Sequence, residues 1–382
     1  MNARLVATLV ALACGMACPR LFVQPLRELA LAKIGFAADD TALVVAAIMI
    51  AHTLRPMIGL GIDASARRGV DPRWWLRVAA ATALVAGLAS GAFEEPTSGL
   101  LVLLALVFGC AVVVELVTSA AIVGEQARGA ESALLGSART FVATGMVLVT
   151  GVAAGWVAEA PSRRLGPLIA TLMSLALVAS WAIPRTPRSA VPSHGWRSTS
   201  VLVAACLAFT FYTVPGFGTL LFIRQRGEFG LSQIQIGGLE SLNNFAALLG
   251  VLAYYRLRRR APLSQTLPAA VAIYGVGDAM YLFYGPDLRA PAIEVVNGLL
   301  TAAGLAAIAE MVIRGAGREA RALSIAVILC AANIGTSAAE IIGTKLGGAG
   351  LSFTELVLLH VACYLALAAA MYTGRARLAL DE

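Results

Sequence analysis

The stretch Leu54-Arg55-Pro56-Met57-Ile58-Gly59-Leu60-Gly61-Ile62-Asp63-Ala64-Ser65-Ala66-Arg67-Arg68-Gly69 interrupts an almost unbroken apolar run with an acid, two adjacent arginines and a glycine. Gly59 and Gly61 lack a Cβ, so a helix carrying them can approach a neighbouring backbone closely. Asp63 then marks where the chain leaves an apolar environment, just before a tight basic turn. Such a corner is either an ordinary solvated helix end or a charged hinge between packed helices.

What surrounds the corner selects the class of protein. The chain has 382 residues, of which 59% are hydrophobic and only 13% charged, with a mean hydropathy of +0.81. A water-facing globule carries about a quarter charged residues, so this chain has too little polar surface to cover one. Its apolar runs are about 20 residues long and show no inside/outside alternation, which predicts membrane-spanning helices and not a barrel. The net charge of +7 falls mainly in short turns between spans, so it reflects membrane orientation and not a nucleic-acid partner. Cys14, Cys18, Cys110, Cys206, Cys330 and Cys363 lie in apolar runs without CxxC spacing or histidine companions. They predict small buried hydrophobes, with no disulfide framework, metal site or cofactor.

Outward from the corner the chain divides into twelve predicted spans. The segment before Leu29 has one early base, Arg4, but no small-x-small cleavage site, so it is expected to be the first span and not a removed signal. Residues 40–62 form the second. Trp74 and Trp75 anchor the third at an aromatic belt, and residues 97–124, 133–157 and 165–183 complete a first set of six. A proline-rich basic segment, residues 185–197, can neither continue a helix nor bury a core and is expected to be a linker. Six further spans follow at residues 198–223, 232–255, 265–284, 290–313, 322–346 and 352–373. The expected domains are residues 1–184, an N-terminal six-helix bundle, and 198–382, a C-terminal six-helix bundle with a short tail. Two such pseudo-symmetric bundles are the layout of transporters that rock about a midplane site.

Orientation follows from the bases. Nineteen fall on the side of the Asp63 corner and eight on the other, which predicts that this corner and both termini are cytoplasmic in a bacterial inner membrane.

Ionisable groups at membrane depth cost about 2.5 to 3.5 kcal/mol each even on lenient scales, so they normally face a bundle interior or a wet cavity. Several recur at helical spacing. Arg20, Gln24 and Arg27/Glu28 share one face; so do Glu240, Asn243 and Asn244; Glu294, Asn297 and Thr301; and Asn333, Ser337, Glu340 and Thr344. Glu115 lies well inside a span, where it either takes up a proton or pairs with Arg55 or Arg20. Arg27, Glu28, Glu310 and Arg314 lie near an interface and are expected to snorkel. Asp278 follows two glycines on a span expected at the periphery, and His52 and His360 are expected to be satisfied packing residues. Phosphate loops, nucleophile elbows and HExxH motifs do not occur, so the sequence carries no enzyme signature.

The pattern Gly59-x-x-x-Asp63-x-x-x-Arg67-Arg68-Gly69 resembles the loop between the second and third helices of the major facilitator superfamily, although Ala64 and Ala66 stand where that family usually has a base and a glycine. Arg55-Pro56-x-x-Gly59-x-x-x-Asp63, together with residues 229–254, is similar to the folate-biopterin transporter branch. The resemblance implies alternating-access transport of a small, anionic organic solute, with Arg20 and Arg55 facing a carboxylate. Gln24, Glu115, Asn243, Asn244 and Asn297 would bind the solute, Glu115 and Glu240 would be the proton-coupling candidates, and Gly59, Asp63, Arg67 and Arg68 would latch the inner gate. The rival from another class resembles the branch of light-harvesting assembly proteins: a non-transporting assembly factor whose intramembrane charges pair off.

Overall fold

The computed structural model describes residues 8–15, 21, 53–90, 110, 113–114, 131–158, 161–183, 198–316 and 321–374. Among these residues the regular structure is helical throughout. Arg20, Gln24, His52, Glu115 and the linker 185–197 lie outside the described residues.

Helix α1, Arg55–Arg67, starts with Pro56 in its first turn, where the missing N–H is harmless. It continues past the expected end of the second span, so Asp63 sits within the helix and the basic turn falls one helical turn later. That turn closes at Gly69, whose φ of 85° suits a residue without a Cβ. Ser65 Oγ donates to the Ile62 carbonyl and accepts from Trp75 Nε1, which pins the next helix, α2, Arg73–Ser90. Helix α3 is Glu131–Ala158 and α4 is Pro161–Ala182; α2 packs on α4. Val85, Leu88, Val178 and Trp181 on this pair remain exposed, as lipid-facing side chains do.

The seventh span departs from expectation. Residues 198–223 were predicted as one helix, but the chain forms α5, Thr199–Tyr212, and α6, Gly218–Gly227. Pro215 has no N–H to donate and cannot continue the helix, and Gly216 turns outward to donate its N–H to the Ala339 carbonyl at 2.9 Å.

Helix α7, Gln233–Arg258, opens on a capping box in which Ser232 and Gln235 satisfy each other's backbone. Then come α8, Leu263–Ala279, ending in a 3₁₀ turn at Met280–Phe283; α9, Arg289–Gly315; α10, Arg321–Gly348; and α11, Phe353–Gly374. Six of the described helical segments are long and apolar enough to cross a membrane. The apolar window of α9 is 72% buried and that of α11 only 33%, so α9 runs through the middle of the bundle and α11 along its rim. This is a multi-pass membrane architecture.

Glu310 corrects a sequence expectation. It does not snorkel: it is completely buried and accepts from Tyr254 OH, Arg258 Nε and Arg314 Nε, each at 3.0 Å. The cluster joins α7 to the end of α9, one short connection before α10 begins. The Arg258 end of α7 and the Arg321 end of α10 therefore lie at the same end of the molecule.

Candidate functional site

Among the described residues, helices before residue 184 meet helices after residue 198 along two seams whose tightest contacts lie toward opposite ends. At the Arg321 end, α1 packs on α10. A Cβ on Gly59 would come within 2.8 Å of Ala326 Cβ and 2.9 Å of the Ala322 carbonyl, so only glycine permits this approach. Asp63 Oδ2 accepts from the Leu323 N–H at 3.0 Å. Burial raises the Asp63 carboxyl above its ordinary range, while the Leu323 and Ala322 amides and the Arg67 charge pull it back. Arg67 and Arg68 themselves are exposed. Just before α1 begins, the Thr53 carbonyl accepts from Cys330 Sγ at 3.5 Å, and the buried Arg55 lies near Cys330.

The other seam joins α3 to α7 and α9; it is tightest at the beginning of α7 and reaches Gly145 against Leu248 farther along that helix. Gly151 and Gly155 lie against Gly237, Gln233 and Ser241 so closely that a Cβ would overlap backbone atoms. Ser241 Oγ donates to the Leu148 carbonyl at 2.8 Å and accepts from the Val152 N–H at 3.1 Å.

In the second half, four helices and the broken span bring polar side chains together in the apolar interior. Asn243 Nδ2 on α7 donates to Glu294 Oε2 at 3.0 Å and to Asn297 Oδ1 at 2.8 Å, both on α9. Tyr281 OH donates to the same Glu294 oxygen at 2.9 Å. Asn297 Nδ2 donates to Asp278 Oδ1 at 2.8 Å, and Asp278 Oδ2 meets His360 Nε2 of α11 at 2.8 Å. His360 Nδ1 lies 2.7 Å from the Pro215 carbonyl in the break between α5 and α6. Glu294, Asn297, Asp278 and His360 are all buried. Such a chain holds only while each donor meets an acceptor, because an unpaired polar group in this interior costs several kcal/mol.

The break is held from α10 as well. Thr219 Oγ1 donates to Glu340 Oε2 at 2.7 Å, and Gly343 of α10 packs directly on the Gly216 backbone. Helix α10 thus carries a contact to the first half near its start and the broken span near its end.

Of the residues predicted from sequence, Asn243 and Asn297 enter this network. Asn244 Nδ2 instead donates to the Glu240 carbonyl within α7, and Glu240 is half-buried on the same helix. Gly59, Asp63 and Arg55 lie along α1 against α10, apart from the network. Asp278 and His360, set aside as peripheral and as packing, prove to be joined within it. Their sequence separation of 82 residues hid the pairing, although two lone ionisable groups on apolar spans are themselves a signal that each needs a partner.

The chain's fold matches solved structures of membrane transporters. It aligns with a D-xylose-proton symporter at TM-score 0.71 and 12% identity, covering 97% of this chain and 96% of that one. It aligns with the nucleoside transporter NupG, in a mutant form, at TM-score 0.64 and 12% identity, covering 97% and 99%. No family model matches the sequence, and no curated protein matches it either.

Proposed function

We propose that this chain is a secondary transporter that moves a small polar organic solute by alternating access. The observation that carries the proposal is the network Asn243–Glu294–Asn297–Asp278, set in a half of the chain whose closest contacts with the other half, through α10 and through α7, lie toward opposite ends of the molecule. Opening one seam while the other holds would expose the interior to one side at a time. The fold shared with a sugar symporter and a nucleoside transporter supports this reading.

The network also bears on the class of solute. Arg55, the described residue offered for a carboxylate, is buried near Cys330 on α10, whereas the cluster around Glu294 consists of amides, acids and the phenols of Tyr281 and Tyr284. That chemistry favours a neutral, hydroxyl-bearing solute over a folate-like anion. A non-transporting assembly factor would pair off its intramembrane charges, as Glu310 does with Arg258 and Arg314. Glu294 is held instead by the hydroxyls of Tyr281 and Tyr284 and the Asn243 amide.

The test is a thermal-shift panel of sugars, nucleosides, organic acids including folates and pterins, and lipids on the detergent-solubilised protein. Hits are carried into proteoliposome uptake with and without an imposed pH gradient. A native-state ligand at a hundred times its Kd stabilises by about 2.7 kcal/mol. A sugar or nucleoside that stabilises the protein and is taken up supports the proposal; stabilisation by organic anions alone overturns its solute class, and an absence of uptake for every hit overturns transport.

A further inference from the structure

His360 and Asp278 are buried, at 7% and 6% exposure, although α11 runs along the rim of the bundle. Both ring nitrogens of His360 face oxygen atoms: Nδ1 the Pro215 carbonyl at 2.7 Å, Nε2 the Asp278 carboxyl at 2.8 Å. A carbonyl oxygen only accepts, and so does an ionised carboxylate, while a neutral imidazole carries a single N–H. A neutral His360 beside an ionised Asp278 therefore leaves one of the two contacts without a hydrogen. Both form together only when the pair holds one further proton, on the imidazole or on the Asp278 carboxyl.

We infer that Asp278 and His360 form a proton-binding site, that the arrangement described above is its loaded form, and that release of the proton unties the Pro215 carbonyl from α11. After release, the remaining N–H goes to the ionised carboxylate, the stronger acceptor in a low-dielectric interior. Nδ1 then faces the Pro215 oxygen lone pair to lone pair. The break between α5 and α6 keeps its ties to α10 at Gly216 and Thr219 and loses the one to α11.

Other groups around the pair come from every neighbouring element. Tyr364 of α11 lies edge-on to the imidazole at 4.9 Å and donates its hydroxyl to the Phe211 carbonyl. Phe217, at the start of α6, covers another side of the ring at 4.9 Å. Tyr274 of α8 packs on Tyr364; Asn297 of α9 donates to Asp278, with Glu294 and Tyr281 bonded to each other beyond it; and Glu340 of α10 holds Thr219. Within this named set His360 is the side chain able to carry a positive charge. Within the transport reading, proton movement would act here on the broken span; the site itself stands without that reading.

The test uses no solute, so a failure of transport and a failure of this site are separable. Hydrogen exchange of the hydrogen-bonded amides flanking the break, Thr213 and Leu221, is followed in the purified full-length protein from weakly acid to weakly alkaline pH, after correction for intrinsic rates. Wild type and Asp287→Asn, an exposed acid outside the site, are expected to exchange roughly tenfold faster once the proton leaves, the effect of about one lost hydrogen bond. Asp278→Asn and His360→Gln are expected to lose this pH-dependent step. Its absence from wild type, or its persistence in both variants, overturns the inference. A second measurement needs no variant at the site. In a chain carrying His52→Gln and His194→Gln, His360 is the sole histidine, and its 15N spectrum reports a hydrogen on Nδ1 that is lost in step with amide protection. An Nδ1 whose protonation stays constant across that range overturns the inference.

Discussion

Asp63 of α1 accepts a hydrogen bond from the backbone N–H of Leu323, in the first turn of α10, at 3.0 Å. The first N–H groups of a helix have no partner within it and carry the positive end of its dipole, so the acid caps a helix that belongs to the other half of the chain. The corner that decided the fold in the sequence is thus a capping contact across a seam. Removing the cap is expected to weaken the seam by about 0.5 to 2 kcal/mol. Asp63→Ala should broaden or lengthen the distance between spin labels on α1 and α10, and Asp63→Asn, which keeps an acceptor oxygen, should not.

The pH dependence of that seam has a defined sign. Burial raises the Asp63 carboxyl above its ordinary value, so the closed seam binds a proton more readily than an open one with Asp63 in water. Closure is favoured on the acid side, and that advantage is lost as pH rises through the raised pKa. The label distance in wild type should shorten on mild acidification, and Asp63→Asn should be insensitive to the same change.

Gly59 tests the steric half of the contact. Its missing Cβ is what lets α1 rest on the Ala322 carbonyl and Ala326, and a branched side chain has no space to occupy. Gly59→Val is expected to hold this seam open and to raise the labelling rate of cysteines introduced along α1 and α10. An unchanged rate would show that the seam is not the closing surface.

The fold class was legible because hydrocarbon tolerates few backbone solutions: long apolar runs without alternation leave little beyond packed spanning helices. The site was legible only along single helices. Spacing placed Glu294 and Asn297 on one face, and the structure joins them to Asn243. Spacing does not relate α8 to α11, so Asp278 and His360 read as two lone residues. It also does not reveal that Pro215 breaks a span, because prolines such as Pro167 and Pro268 sit inside intact helices here. Glu310 was misplaced for a similar reason: its depth depends on Tyr254 and Arg258 from another helix.

Glu310 is expected to matter for stability. A buried carboxylate shared by two arginines and a tyrosine is poorly replaced, because removing it takes away the carboxylate that both charges face. Glu310→Ala should destabilise the protein by about 3 to 5 kcal/mol, read as a lower melting temperature. Glu310→Gln, which keeps an acceptor but not the charge, should fall between the two.

Asn297 is the amide on which the inner network turns, and its two ends do opposite work. Its oxygen accepts from Asn243 and its nitrogen donates to Asp278, each at 2.8 Å. Asn297→Asp keeps the size and the acceptor but replaces the donor with a second carboxyl oxygen facing Asp278. Two carboxylates at that distance do not both ionise in a buried site, so the variant must take up a proton to restore the contact. Its stability is therefore expected to be near wild type on the acid side and to fall as pH rises, whereas Asn297→Leu should be destabilised at every pH because both partners lose their bond. Melting curves of the two variants across pH distinguish these behaviours. Parallel curves for Asn297→Asp and wild type would show that Asp278 and residue 297 do not share a proton-sensitive contact.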